Sequence, residues 1–149
     1  MDPQILFAVA FPLAVPFWAL MILAPGWSFT RRVIGSPLIA VPVLVVYVLA
    51  LLPQLAPYWA AMTGPALPLL TALFGAPLGA TAIWAHLIGY DLLVGSWMYR
   101  DSRERGVHPL VMAPVLVLTV LLSPLGLLSY LLLRTVLPVR TASPSPAPA

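Results

Sequence analysis

Two ionisable side chains, His86 and Asp91, stand inside the otherwise apolar stretch from Pro77 to Met98. An imidazole and a carboxyl are side chains that move protons to and from reacting atoms, and at membrane depth each is costly unless it has a task or a partner. A helix turning about 100° per residue puts His86, Tyr90, Leu93 and Trp97 on one face and Trp84, Asp91 and Gly95 on a second. Ala82, Ala85, Gly89 and Ser96 make a third face, small enough for a neighbouring helix to approach closely. His86 and Asp91 therefore point in different directions, and they share a cavity only if other helices surround this one.

Other apolar runs carry matching polar stripes. Thr119, Ser123, Gly126, Tyr130 and Arg134 recur at helical spacing near the end of the chain, and Ser36, Tyr47 and Gln54 share a face earlier in it. The expected interior is semi-polar, lined by hydroxyls and aromatics around one His and one Asp. The plainer alternative is that His86 or Asp91 hydrogen-bonds a neighbouring helix and fixes its register. In that case Tyr47, Tyr90, Trp97 and Tyr130 serve as packing or interface residues.

Composition dictates the elements that position these residues. Of 149 residues, 62% are hydrophobic and only 7% charged, against about a quarter charged in soluble domains, so the solvent for most of the chain is lipid. Four apolar runs are long enough to span, at 5–24, 33–55, 77–98 and 109–137, and the shorter piece from Leu67 to Phe74 lies at the interface or re-enters. The runs are continuous, whereas barrel strands alternate apolar and polar residues. The fold expected is all-α: an integral membrane four-helix bundle with a short interfacial helix between spans two and three. Pro12, Pro16, Pro42, Pro114 and Pro124 are expected to kink its helices. Met1 and Asp2 supply no positively charged leader, so the first run counts as a span rather than a signal peptide. Residues 1–138 form one transmembrane domain, and the Pro/Ser/Ala-rich segment 139–149 is expected to be disordered.

The loop after span one holds Arg31 and Arg32, and the loop after span three holds Arg100, Arg103 and Arg105; only Arg134 and Arg140 fall on the other side. By the excess of basic residues, both loops are cytoplasmic and both termini outside. Arg100, Asp101, Arg103, Glu104 and Arg105 then form a solvated turn with local ion pairing. The net charge of +3 is a topology signal, with no nucleic-acid partner expected. Without lysine there is no retinal or pyridoxal Schiff base and no phosphate-loop lysine; without cysteine there is no thiolate metal site and no thiol nucleophile. A di-iron centre needs more carboxylates and histidines than the apolar runs contain. His108 opens the last span too near the edge to share a haem with His86. No metal site and no cofactor are expected.

The string Trp84-Ala-His86-Leu-Ile-Gly-Tyr-Asp91-Leu-Leu, with Trp18-x-Leu20-Met21, Pro25-x-Trp27 before Thr30-Arg31, and Pro124-x-Gly126-Leu-Leu-Ser129, resembles the abscisic-acid-deficient-four family. Its plant members are plastid membrane proteins needed for neoxanthin formation. The likeness runs from about Phe7 to Arg134. It implies a four-helix membrane protein associated with carotenoids and, in plants, with converting the epoxide of violaxanthin into the allene of neoxanthin. That step is a redox-neutral isomerisation, asking for a proton donor at the epoxide oxygen and an acceptor for a carbon-bound proton in a dry apolar site. Carried onto this chain, the resemblance makes His86 and Asp91 the acid/base pair and sets Trp84, Tyr90, Trp97, Ser123 and Tyr130 against the polyene. The partners implied are membrane lipid and a carotenoid or other isoprenoid, with a homo-oligomer or a carotenoid-enzyme complex open. Compactness and the lack of a transit peptide suggest a bacterial member in an inner membrane. Two alternatives stand beside the isomerase: a non-catalytic pigment- or lipid-binding or assembly protein, and a small proton-coupled transporter.

Overall fold

The structure, a computed structural model, describes residues 2–136, and all regular structure among them is helical. The segment expected to be disordered, 139–149, and Arg140 lie outside the described residues. Helix α1 (Pro3–Leu23) starts where the Asp2 carboxylate accepts the Gln4 amide at 2.9 Å, with Pro3 in the first turn, where no amide hydrogen is required. It is apolar all round because one side meets protein and the other lipid. Leu6, Ala10, Ala14, Trp18 and Met21 face inward along it, while Phe7, Phe11 and Val15 stay exposed. The short α2 (Ser28–Ile34) carries Arg31 and Arg32 around the turn.

The second crossing is composite: a 3₁₀ turn (Pro37–Ala40), α3 (Val41–Leu51), a 3₁₀ turn (Leu52–Gln54) and α4 (Leu55–Thr63) run on from one another. Pro42 falls in the first turn of α3 and Pro53 in that of the second 3₁₀ turn, so these prolines mark joints between pieces instead of kinks within one helix. The expected short interfacial helix is α5 (Leu67–Gly75), and it leads directly into α6 (Pro77–Glu104), the longest helix and the centre of the fold. Among the described residues, three units are long and apolar enough to cross a membrane: Pro3–Leu23, Pro37–Thr63 and Pro77–Glu104.

Helix α1 runs parallel to α6. At one end the Thr81 hydroxyl donates to the Pro3 carbonyl at 3.3 Å and Phe7 stacks on Trp84 at 5.6 Å; at the other the Tyr99 hydroxyl donates to the Pro25 carbonyl at 2.7 Å. Between them Trp18 lies against Gly95, where any Cβ would enter the indole ring. Glycine at that point is what lets the two helices close. Helix α3 packs antiparallel on another side of α6, with Tyr47 against His86.

The fourth expected span is not one helix. The run 109–137 divides into α7 (Pro109–Leu121) and α8 (Ser123–Val136). Each extends about 20 Å, too short for a hydrocarbon core of about 30 Å. Pro124 has no amide hydrogen for the carbonyl four residues back, so α7 stops before it; in the first turn of α8 the missing donor costs nothing. The Leu122 carbonyl instead accepts from the Leu125 and Gly126 amides, starting α8 in a new direction. The chain then folds back on itself, since a Cβ at Gly126 would meet the Thr119 backbone at 2.5 Å and the Tyr130 hydroxyl reaches Asp101 near the end of α6. A hairpin thus enters beside the end of α6, turns level with its middle, and returns.

The expected fourth span is thus two short helices, and the described residues begin and end at opposite ends of α6. Pro3 lies at the start of α6, while Arg134 meets Asp101 at its finish. All six described arginines, Arg31, Arg32, Arg100, Arg103, Arg105 and Arg134, consequently belong to one end of the molecule. The apparent conflict of Arg134 with the other basic residues disappears.

Candidate functional site

The turn of the hairpin, α1 and α6 enclose a cavity of about 540 Å³ beside the middle of α6. Its walls are mainly apolar, from Phe11, Trp18, Trp84 and Ile88 on one side to Leu122 and Leu127 on the other. Among its lining residues Asp91 carries the one charge and Ser123 the one hydroxyl. Asp91 is held there by α6, and the break at Leu122 brings Ser123 into the wall of the same cavity. A second apolar cavity of about 350 Å³ shares Phe11, Trp18, Val120 and Leu121 with the first and continues between α1 and α7 as far as Leu23. From Phe11 to Leu23 the axis of α1 rises about 18 Å. The two cavities form an elongated groove whose lips, including Val15 and Leu121, are exposed at the surface that faces lipid.

Of the residues expected to form a site, Asp91, Ser123 and Trp84 come together in this cavity. His86 does not join them. Its ring stacks on Tyr90 at 4.5 Å and meets Tyr47 at 5.7 Å, on the side of α6 that faces α3. Five residues of helix turn the two side chains about 140° apart, and α3 occupies the His86 side while the hairpin occupies the Asp91 side. The expected acid/base pair is therefore divided between two environments. Tyr90 goes with His86 and is 56% exposed. Trp97 and Tyr130 pack edge to face at 5.6 Å near the arginine-rich end, with the Arg134 guanidinium over the Trp97 ring, and neither lines the cavity.

The separation gives an expected result for His86→Ala. It removes two ring contacts of about 0.5–1.5 kcal/mol each and so lowers thermal stability in detergent, yet it leaves the cavity at Asp91 unchanged, because His86 does not line it. Unfolding temperatures of the two proteins check this; an unchanged stability would mean that the ring contacts add nothing to the fold.

Phe11, Trp18, Leu122, Pro124 and Leu127 line the cavity without having been singled out as site residues from sequence. Trp18 carried the clearest signal, as the aromatic of the Trp18-x-Leu20-Met21 motif. Asp101 was expected in a solvated turn with local pairing. The Arg105 pair at 2.8 Å agrees with that, but the same carboxylate also receives Tyr130 and Arg134 from α8. Among the described residues no group of three or more His, Asp or Glu side chains gathers to hold a metal ion.

The family model described as ABA DEFICIENT 4-like matches residues 5–130. The chain is also similar to Protein ABA DEFICIENT 4, chloroplastic, of Arabidopsis thaliana, with 26% identity over 137 residues. That alignment covers 88% of this chain and 61% of the Arabidopsis protein. No solved structure matches.

Proposed function

This chain belongs to the ABA DEFICIENT 4-like family, and from that membership and the groove at Asp91 we propose that it binds a carotenoid or related isoprenoid polyene from the membrane and isomerises its oxygenated end. The observation that carries the reading is a lateral apolar groove that ends on one carboxyl and one hydroxyl at the middle of a membrane-crossing helix. A long apolar chain enters such a groove from lipid without crossing water, and its polar end group meets the carboxyl and hydroxyl of Asp91 and Ser123.

The chemistry needs no change of oxidation state. In its protonated form the Asp91 carboxyl gives its proton to an epoxide oxygen as the carbon–oxygen bond breaks. The resulting carboxylate then takes a proton from the neighbouring chain carbon, a new carbon–carbon double bond forms, and the carboxyl returns to its starting state. One carboxyl does both jobs in turn, which fits a site that His86 does not reach. Ser123 holds the carboxyl toward the end group, and Trp84 and Trp18 wall off water. Charge placement supports an orientation with the arginine-rich end facing the cytoplasm, or the equivalent compartment, and Pro3 on the opposite side.

The reading is tested by expressing the protein in hosts that make defined carotenoids, purifying it in mild detergent, and recording its absorption spectrum with a pigment extract. The expected result is a bound carotenoid at about one per chain and, in a host making an epoxy-carotenoid, an isomer of equal mass. Pigment bound but never changed would support the non-catalytic binding protein; a colourless protein and unchanged extracts from every host would overturn both readings.

A further inference from the structure

We infer that Asp101 is a positioning residue for the Asp91–Ser123 site, acting through the returning helix α8; the inference rests on the proposal that this site is where the polyene reacts. The Asp101 carboxylate sits ten residues, about 15 Å, along α6 from Asp91. Three side chains converge on it: the Tyr130 hydroxyl donates to Oδ2, Arg105 Nε donates to the same oxygen at 2.8 Å, and Arg134 Nη2 donates to Oδ1 at 3.4 Å. Two of the three come from α8. Tyr130 is fully buried and its ring is wedged against Trp97, so the contact fixes rotation of α8 as well as distance from α6.

Ser123 lies at the other end of that same helix, seven residues from Tyr130 and about 10 Å away. Its backbone is joined to α7 only through Leu122, the one residue between the two helices. Helix α8 is therefore a stiff arm whose rotation about its own axis is set at the arginine-rich end. Loosening that contact lets α8 turn about its axis, and Ser123 at its other end, which shares the cavity with Asp91, turns with it. A carboxylate whose only task is solubility or local pairing would bond Arg105 and leave α8 alone.

The chain contains no cysteine, so two introduced thiols carry spin labels only where they are placed. Leu125→Cys on α8 and Val48→Cys on α3 are exposed positions that do not line the cavity. Pulsed electron paramagnetic resonance on this pair in vesicles reads the position of the arm. One narrow distance is expected with Asp101 present. Asp101→Asn is expected to shift or broaden the distribution by at least about 3 Å, and Asp101→Glu to restore it in part. In turnover assays Asp101→Asn is expected to lower kcat at least tenfold with KM within about threefold.

A distribution unchanged in Asp101→Asn overturns the inference. If that variant does not fold, Tyr130→Phe decides, because it removes one hydroxyl and keeps the ring against Trp97: a broadened distribution supports the inference, and an unchanged one overturns it. A parent protein without turnover on any carotenoid tested contradicts the isomerase reading, while the distances still decide whether Asp101 pins α8.

Discussion

Replacing Asp91 with Asn is expected to lower product formation by at least about a hundredfold while leaving the amount of co-purified pigment within about twofold. A positioned acid or base contributes about 10²- to 10⁴-fold to a proton transfer, and in the proposed mechanism one carboxyl acts in both directions, so the loss falls in that range or beyond it. Binding changes little because the groove is walled by apolar side chains and Asn keeps the size and polarity of the Asp91 end. Stability moves the opposite way from activity. A charge-bearing side chain at the centre of a membrane helix costs about 2.5–3.5 kcal/mol on insertion scales, so Asp91→Leu is expected to raise the unfolding temperature in detergent while abolishing turnover. A carboxyl kept only to fix helix register would show the reverse, with stability lost in both variants. Product yields and unfolding temperatures of the two variants, measured on the same preparations, separate these outcomes.

The second large effect is expected at Gly126, where α8 folds back onto α7. A Cβ there would stand 2.5 Å from the Thr119 Cα and 2.6 Å from its amide nitrogen. Those are backbone atoms of a neighbouring helix and cannot swing aside as a side-chain tip would. Helix propensity favours alanine over glycine by about 1 kcal/mol, whereas overpacking costs about 1–3 kcal/mol. The clash wins, so even Gly126→Ala is expected to destabilise. Gly126→Val adds two further methyl groups beyond the alanine Cβ at the closest point of the hairpin and is expected to lower the unfolding temperature by about 5 °C or more. It is also expected to reduce bound pigment severalfold, because the hairpin cannot part without moving Val120 and Ser123 in the cavity wall. Scanning fluorimetry and pigment content of the purified variants check both effects; a stable, fully pigmented Gly126→Val would mean that the hairpin packs otherwise.

The sequence announces the three long crossings plainly, since uncharged apolar runs of that length have few other solutions. It also announces Asp91 as the residue to explain, and the different directions of His86 and Asp91 follow from helical spacing alone. What hydropathy does not show is a reversal inside an apolar run. From Pro109 to Leu133 nothing charged interrupts the chain, so one tilted helix and a hairpin of two short ones look alike. The clue was chemical: Ser123 and Pro124 beside each other, followed by Gly126. The stripe Thr119, Ser123, Gly126, Tyr130 and Arg134 fits one face of a single helix, yet in the fold its first member faces its third across two helices. The same event hid the site. Ser123 shares a cavity with Asp91 only because the hairpin turns there, and Tyr130, in one stripe with Ser123 on paper, is carried to the other end to meet Asp101 and Trp97. Tyr90 and His86 were likewise legible as a stacked pair by their i, i+4 spacing, but which neighbour their face would meet was set by the arrangement of α3, which local spacing does not encode.

The most direct test of the account is turnover by the purified protein in lipid vesicles loaded with an epoxy-carotenoid, with no nucleotide, reductant or oxidant supplied. The vesicle pigments are extracted over time and separated by chromatography with mass detection. The account predicts an isomer of unchanged mass that accumulates with the parent protein and not with Asp91→Asn. Recovery of the epoxide unchanged from both, or equal conversion by both, would contradict it.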